Sequence, residues 1–230
     1  MTNHHLALLE QAERLLRPLP YQVVFLGGAS VSLHLDDQAT RVRATKDVDF
    51  VVEATSYAEN AIVEAKLREL GFTQDPLGDG PICRWHKDGL ILDMMPTDPT
   101  IMGFGASQWF ERGFESAKTY ELPNKRLIRA FDALHLIAAK IEAFRDRGGD
   151  DWMTSRDVED IVTVLDGRGS IFEELGEDGE VQKFIREWMS SFSEDELFEV
   201  LGTHLGDYAR GGYLHEQLIK VVASAEHEEE

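Results

Sequence analysis

Residues 21–26 constrain the fold more than any other part of this chain, because they form a short apolar run that ends in two glycines. The β-branched and aromatic side chains of this run favour a buried strand. Gly27 and Gly28 then indicate a turn, and residues 29–35 start a helix. The segment therefore predicts a strand that leads through a glycine turn into a helix.

The following segments extend this pattern into a sheet. Residues 48–53 predict a second strand, and residues 57–70 have helical spacing that ends at Gly71, as a helix C-terminus often does. Two strands, 82–86 and 90–95, flank Asp88-Gly89, which is a strong hairpin signal. Two more short strands are expected at 117–121 and 126–129. Strand, helix and hairpin together predict a mixed sheet rather than a purely parallel one.

The second half of the chain is helical. From residue 130 onward, apolar residues recur at helical spacing, as at Leu134, Ile137, Ile141 and Phe144. Further helices are expected near 154–165, 179–191, 194–203 and 212–223. We therefore expect an α+β protein with two domains, residues 1–129 with an N-terminal amphipathic helix and residues 130–230.

Charge limits the classes of partner. The formal net charge of -20 repels polyanions at long range, so duplex DNA is not expected as a partner. A solvated acidic surface and a face for a basic protein partner both fit this charge. The single cysteine, Cys83, excludes an internal disulfide and a multi-cysteine zinc site, and we interpret it as a buried thiol. No apolar stretch approaches the roughly 20 residues that span a bilayer, so a cytoplasmic protein without a membrane partner is expected.

Asp47 and Asp49 lie two residues apart at the second predicted strand. Side chains two apart on a strand point to the same face, with Cα atoms about 6 to 7 Å apart. Converging carboxylates repel each other unless a cation is present, and such oxygen ligands suit Mg²⁺ or Mn²⁺. The pair therefore predicts a divalent-metal site, although a solvent-facing strand end has the same pattern.

The glycine turn and a third aspartate make the pattern more specific. Gly27, Gly28 and Ser30 lie between a strand and a helix, where small residues let backbone N–H groups approach a phosphate. An ordinary tight turn capped by Ser30 is the alternative. Asp93 lies in an otherwise apolar strand, where a carboxylate is costly unless it meets a cation or another partner. We expect this strand to lie beside the one that carries the aspartate pair.

Two further groups of residues complete the pattern. Arg43 and Thr45 precede the aspartate pair as Arg-x-Thr-x-Asp-x-Asp, and a later helix with Lys140 and Arg145 precedes an Asp-x-x-Asp segment at Asp157 and Asp160. With the glycine turn, this order of residues resembles the polymerase-β-type nucleotidyltransferases. It looks most like the AbiEii-type toxins, the toxin half of certain toxin–antitoxin and phage-defence pairs. The resemblance implies a polymerase-β-like domain with a mixed sheet, followed by a helical domain that completes the nucleotide site.

The resemblance also implies roles for these residues. Mg²⁺ or Mn²⁺ would be held by Asp47, Asp49 and Asp93. The NTP would be bound by Gly27, Gly28, Ser30, Arg43, Thr45, Lys140, Arg145 and Asp160. The catalytic set would consist of the three metal-binding aspartates, Lys140 and Asp157.

Simpler interpretations remain open for the helical residues. The stem of Lys140 can pack at a core edge while its ammonium group reaches out. Asp157 can favour the positive N-terminal end of a helix that Ser155 caps.

The predicted function is transfer of a nucleoside monophosphate from an NTP to a hydroxyl. The resemblance permits the 3′ end of tRNA or a protein hydroxyl as the acceptor, and it implies a cognate antitoxin protein as a partner. The acidic charge weighs against RNA unless the basic residues converge, namely Arg41, Arg43, Lys46, Lys118, Lys125, Arg126 and Arg129. Antibiotic adenylation shares the same metal chemistry and is one alternative, and a non-catalytic interaction protein with the same fold is another.

Overall fold

A computed structural model describes residues 4–36, 41–74, 81–102, 107–149 and 151–226. The chain divides into a first unit, Met1–Leu33 with Arg43–Asp132, and a second unit, His34–Val42 with Ala133–Glu230. The change of unit after Asp132 lies close to the boundary near residue 130 that the sequence predicts. The assignment of His34–Val42 to the second unit was not predicted.

The first unit contains a mixed sheet and flanking helices. Its helices are α1 (His4–Leu16), α2 (Gly27–Ser30), α3 (Tyr57–Glu69) and α4 (Trp109–Ser116). Its strands are β1 (Val23–Leu26), β2 (Asp47–Val52), β3 (Thr73–Gln74), β4 (Arg84–Lys87), β5 (Leu90–Pro96), β6 (Lys118–Glu121) and β7 (Leu127–Ala130). Short 3-10 helices follow α2 and β5, at Val31–Leu33 and Pro99–Ile101.

The strand order in the described residues is β3-β4-β5-β2-β1-β7-β6. β1 is antiparallel to β2 and parallel to β7, while β2 is parallel to β5. Antiparallel hairpins at each side, β4 with β5 and β6 with β7, complete the sheet. The predicted α+β class with a mixed sheet is confirmed.

The β4–β5 hairpin owes its register to its turn. Asp88 and Gly89 both have positive φ, 49° and 77°, as a two-residue turn that matches strand twist requires. Lys87 therefore pairs with Leu90, and the same register places Arg84 opposite Asp93.

Large apolar side chains on one face of the sheet pack together in the core of the first unit. Phe50 on β2, Trp85 on β4 and Leu92 on β5 are fully buried, as is Leu67 on α3. Each such side chain contributes roughly 1.5–3 kcal/mol relative to an exposed one. The central strands are therefore a firm support for the polar groups at their ends.

The second unit is helical. Its helices are α5 (Ala133–Asp146), α6 (Arg156–Gly167), α7 (Ile171–Gly176), α8 (Glu180–Met189), α9 (Glu194–Leu205) and α10 (Tyr208–Glu226). α5 packs against α6 and α8, and α9 packs against α10. Ser155 accepts hydrogen bonds from the backbone N–H groups of Asp157 and Val158, so the predicted N-cap of α6 is confirmed.

Asp36 lies in the part of the second unit that comes from the first half of the chain, and its hydrogen bonds fix this segment to the rest of that unit. Its backbone N–H donates to the Gly167 carbonyl, and its carboxylate accepts from the Gly169 N–H at 2.7 Å. Residues 37–40, which follow Asp36, lie outside the described residues. In the described part of the chain, the helices lack the length and apolarity needed to cross a membrane.

Candidate active site

Gly27–Ser30, which form α2 directly after β1 instead of the predicted turn before a helix, lie against Asp49 at Gly27. Gly27 has a φ of 74°, and a Cβ placed there would lie 1.8 Å from Oδ2 of Asp49. A side chain at this position would therefore both strain the backbone and displace the carboxylate. Ser30 is fully buried, and its hydroxyl donates to the Gly27 carbonyl at 2.9 Å. The segment is closed by its own serine and holds the Asp49 carboxylate against its backbone.

The sheet brings the three aspartates to one face of two interior strands, β2 and β5. Asp49 pairs with Leu26 of β1 on one side and with Asp93 of β5 on the other. Asp47 lies two residues before Asp49, and the partly exposed aspartates alternate with the buried Val48 along β2. The first two aspartates therefore share a face, as the sequence predicts.

Arg84 joins two of these carboxylates. Its Nε and Nη2 atoms donate to the two oxygens of Asp93 at 2.8 Å and 2.6 Å, and Nη2 also donates to Oδ2 of Asp47 at 3.1 Å. The hydrogen bonds and charge of Asp93, opposed by partial burial, raise the pKa of Arg84. The guanidinium is therefore a permanent positive charge beside these carboxylates.

The segment before β2 is tied down from two sides. The Thr45 hydroxyl donates to Oδ1 of Asp47 at 2.6 Å. The Nε2 atom of His5 lies 2.8 Å from the Arg43 carbonyl, and that of His4 lies 3.2 Å from the Thr45 carbonyl. The N-terminal helix thus positions the chain that leads into the aspartates.

Cys83 lies beside the same cluster and is half-buried, where the sequence suggested a buried thiol. Burial, followed by the charges of Asp93 and Asp49, raises the pKa of the Cys83 thiol to about 12. The thiol stays protonated at neutral pH and is not a nucleophile there.

The chemistry of the three aspartates, but not their present arrangement, suits a hard divalent cation. Asp47, Asp49 and Asp93 supply carboxylate oxygens, which Mg²⁺ and Mn²⁺ prefer, and the guanidinium of Arg84 shows that a cation is accommodated between two of them. Within the described ranges, no three His, Cys, Asp or Glu side chains are arranged together as metal ligands. In the present arrangement, Arg84 lies between Asp93 and Asp47 and contacts both.

The residues predicted from the helical half form a buried ion cluster of their own. Lys140 on α5 donates to Asp157 at 3.1 Å and lies 2.7 Å from Asp160, both on α6. Arg147 also pairs with Asp157. The side chains of Lys140, Asp157 and Asp160 are 11%, 4% and 1% exposed. These contacts favour a role in fixing α5 to α6.

Arg145 packs within the second unit, with its Cζ atom 5.1 Å from the centre of the Phe184 ring. The assignment of Arg145, Lys140, Asp157 and Asp160 to the nucleotide site stays a prediction.

The architecture is similar to that of the antibiotic-resistance factor ANT(2'')-Ia, with 14% sequence identity, a TM-score of 0.50, and coverage of 83% of this chain and 96% of that one. The chain has a nucleotidyltransferase fold. An antigenic nucleotidyltransferase-like protein from Paracoccidioides brasiliensis is also similar, with 16% identity, a TM-score of 0.49, and coverage of 86% of this chain and 92% of that one. No protein-family model and no curated protein matches the sequence. The AbiEii-type assignment stays a prediction.

Several basic residues of this nucleotidyltransferase fold are engaged by neighbouring groups. Lys125 pairs with Glu121 at 2.8 Å, and Arg126 lies 3.4 Å from a carboxylate oxygen of Glu13. Arg129 donates to backbone carbonyls at the end of α4, including that of Phe114 at 3.0 Å. The glutamates offset part of the charge of Lys125 and Arg126, while the carbonyl contacts hold the Arg129 guanidinium at the end of α4.

Arg84 is the site residue that sequence reasoning missed. The signal was present, because a two-residue Asp88-Gly89 turn fixes the pairing of every residue in the hairpin. Counting back from the Lys87–Leu90 pair places Arg84 opposite Asp93.

Proposed function

We propose that this chain is a metal-dependent nucleotidyltransferase, which transfers a nucleoside monophosphate from an NTP to a hydroxyl group. The observation that carries the proposal is the meeting of Asp49 with Asp93 and with Gly27 on one face of the sheet. The nucleotidyltransferase fold supports it. Carboxylates that lie next to a glycine-rich segment can bind a metal ion while the glycine backbone approaches the triphosphate.

Asp47, Asp49 and Asp93 would hold Mg²⁺ or Mn²⁺, which when bound offsets negative charge on the triphosphate. Gly28 and the adjoining backbone would approach the phosphates, since glycine has no side chain of its own. Thr45, which donates to Asp47, orients that carboxylate.

Asp93 is the proposed acceptor of the proton from the attacking hydroxyl. A general base must lie within hydrogen-bond reach of the proton that it removes. The Asp93 carboxylate accepts two hydrogen bonds from Arg84, so its orientation is fixed before substrate binds.

We propose as acceptor the 3′ end of tRNA or a protein hydroxyl, with growth arrest as the outcome and a cognate antitoxin as the partner that prevents it. A small cationic alcohol is a second candidate. It is favoured by the net charge of -20 and by the engagement of Lys125 and Arg126 with glutamates.

A transfer assay tests the proposed reaction. The purified chain is incubated with each NTP, labelled at the α- or the γ-phosphate, together with Mg²⁺ or EDTA and with total RNA or extract protein. We expect Mg²⁺-dependent incorporation of the α-label and release of the γ-label as pyrophosphate. Incorporation of the γ-label would indicate phosphoryl transfer and contradict the proposal.

The acceptor follows from where the α-label appears. Label in RNA or in protein supports the toxin proposal, which also predicts growth arrest on induced expression. Label only in small molecules, with drug resistance in a susceptible host, supports the second candidate. Absence of both label and Mg²⁺-dependent nucleotide binding would indicate a non-catalytic interaction protein instead.

A further inference from the structure

Arg84 contacts its two aspartates unequally. With Asp93 it makes two hydrogen bonds, of 2.8 Å and 2.6 Å, and the two residues face each other in the β4–β5 pair. With Asp47 it makes a single longer contact of 3.1 Å. The Asp93 side chain is 11% exposed, whereas that of Asp47 is 34% exposed.

These differences rank the two contacts. A bidentate arginine–carboxylate pair is stronger and more directional than a single hydrogen bond, and partial burial reduces its screening by water. The backbone pairing also keeps Arg84 and Asp93 together, while Asp47 lies on a different strand. A competing cation would therefore displace the guanidinium from Asp47 before it displaced it from Asp93.

We propose that Arg84 is a tethered counter-cation of the carboxylate site, which leaves Asp47 when a divalent metal binds and keeps Asp93 in position. This inference rests on the proposed function, because it assigns Asp47 to the metal. Arg84 neutralises part of the carboxylate charge in the metal-free protein and opposes metal binding by the same charge. It is a positioning residue for Asp93 and an internal competitor of the metal.

Opposite signs of effect distinguish this role from a purely structural one. A residue that only supported the aspartates would weaken metal binding when replaced, because the ligands would lose their orientation. A competing cation strengthens metal binding when removed, because two positive charges no longer share the same oxygens. The sign of the change in Mn²⁺ affinity therefore decides between the two roles.

Arg68 provides a matched control. It lies in the same unit, its Nη2 atom pairs with Glu64 at 2.9 Å, and its Cζ atom lies 5.0 Å from the ring of Trp85, the residue next to Arg84. Arg68→Gln removes the same charge as Arg84→Gln and leaves the contacts of the aspartates unchanged.

Titration with Mn²⁺ alone, followed by the electron paramagnetic resonance signal of free Mn²⁺, measures the affinity. We expect Arg84→Gln to bind Mn²⁺ about tenfold more tightly than the wild type, and Arg68→Gln to change the affinity by less than about twofold. Arg84→Lys, which keeps the charge and loses the bidentate contact, should lie between the wild type and Arg84→Gln. Affinity in Arg84→Gln equal to or weaker than that of Arg68→Gln would overturn the proposal.

Thermal unfolding supplies a second readout that needs no activity. In EDTA, Arg84→Gln should unfold at a temperature several degrees below that of Arg68→Gln, and saturating Mn²⁺ should remove most of this difference. Equal unfolding temperatures in EDTA would also overturn the proposal. A wild type that binds Mn²⁺ and transfers label, with no gain of affinity in Arg84→Gln, removes only the role of Arg84. A wild type that does neither removes the proposed function as well.

Discussion

Each unit of this protein holds a group of aspartates around a basic side chain, and the two groups differ in burial and in charge. In the helical unit, Asp157 and Asp160 face Lys140, and the three side chains are at most 11% exposed. Arg147, whose side chain is 70% exposed, adds a second cation to Asp157 from the surface.

In the sheet unit, three carboxylates lie beside one guanidinium. Asp47 is 34% exposed and Arg84 is 25% exposed, whereas Asp93 is only 11% exposed, so this group is partly open to solvent. A balanced, buried cluster is typical of a structural link, because every charge needs its partner there. A partly exposed cluster with more carboxylates than cations could accept a further cation, as a metal-dependent site requires. The same kinds of side chain therefore predict catalysis in one unit and stability in the other.

The largest expected effect is on the transfer rate of Asp49→Asn. The variant should lose about a thousandfold or more in transfer, because a metal contributes several kcal/mol of charge stabilisation. Its unfolding temperature should change by only a few degrees, since a functional carboxylate is not optimised for stability. A variant that keeps full transfer would contradict the comparison.

Lys140→Met should have the opposite profile. It leaves Asp157 and Asp160 buried with less positive charge, which should lower the free energy of unfolding by about 3–5 kcal/mol. Denaturant unfolding measures this change. The double variant with Asp160→Asn should lose less than the sum of the two single variants, because the charges are coupled. Additive losses would show that Lys140 and Asp160 act independently.

Gly27→Ala should affect both properties, to a smaller extent. A Cβ at this position lies 1.8 Å from the Asp49 carboxylate, so that carboxylate must move. Misplacement of about 1 Å reduces rates by up to about a hundredfold, and the positive φ should cost roughly 1–3 kcal/mol of stability.

Gly71→Ala is the matched control for this variant. Gly71 has a φ of 85° and open space around its Cβ position, so it isolates the backbone strain. Equal loss of transfer in Gly71→Ala and Gly27→Ala would argue against a special role for the contact with Asp49.

Arg126→Ala should have the smallest effect. Its partly exposed pair with Glu13 contributes less than about 1 kcal/mol to the free energy of unfolding. Transfer to RNA should also change by less than about twofold if Arg126 is not part of an RNA surface. A large, salt-dependent loss of RNA labelling would instead indicate that Arg126 belongs to a basic RNA-binding surface.

Much of the sheet could be predicted from local signals. The Asp-Gly turn predicts the β4–β5 hairpin, and the apolar run before Gly27 predicts β1. α7 was missed because its six residues, Ile171–Gly176, are too short for a periodic pattern. β3 has two residues, so it too lacks an alternating pattern.

The candidate site was predictable only in part. The spacing of Asp47 and Asp49 predicts a shared face, which the alternation of buried and partly exposed residues along β2 confirms. The burial of Lys140 between two aspartates could not be predicted, because it depends on how α5 packs against α6. A lysine on an apolar helix face has the same sequence pattern whether its ammonium reaches a ligand or a buried carboxylate.

Mn²⁺ binding to the wild type and to Asp49→Asn, measured by the resonance signal of free Mn²⁺, tests the central claim most directly. We expect the wild type to bind Mn²⁺ and Asp49→Asn to bind it at least about tenfold more weakly, since one carboxylate ligand is lost. Asp160→Asn, in the buried cluster of the other unit, should bind Mn²⁺ as the wild type does. Equal Mn²⁺ affinity of the wild type and Asp49→Asn would contradict the assignment of the metal site to the aspartates of β2 and β5.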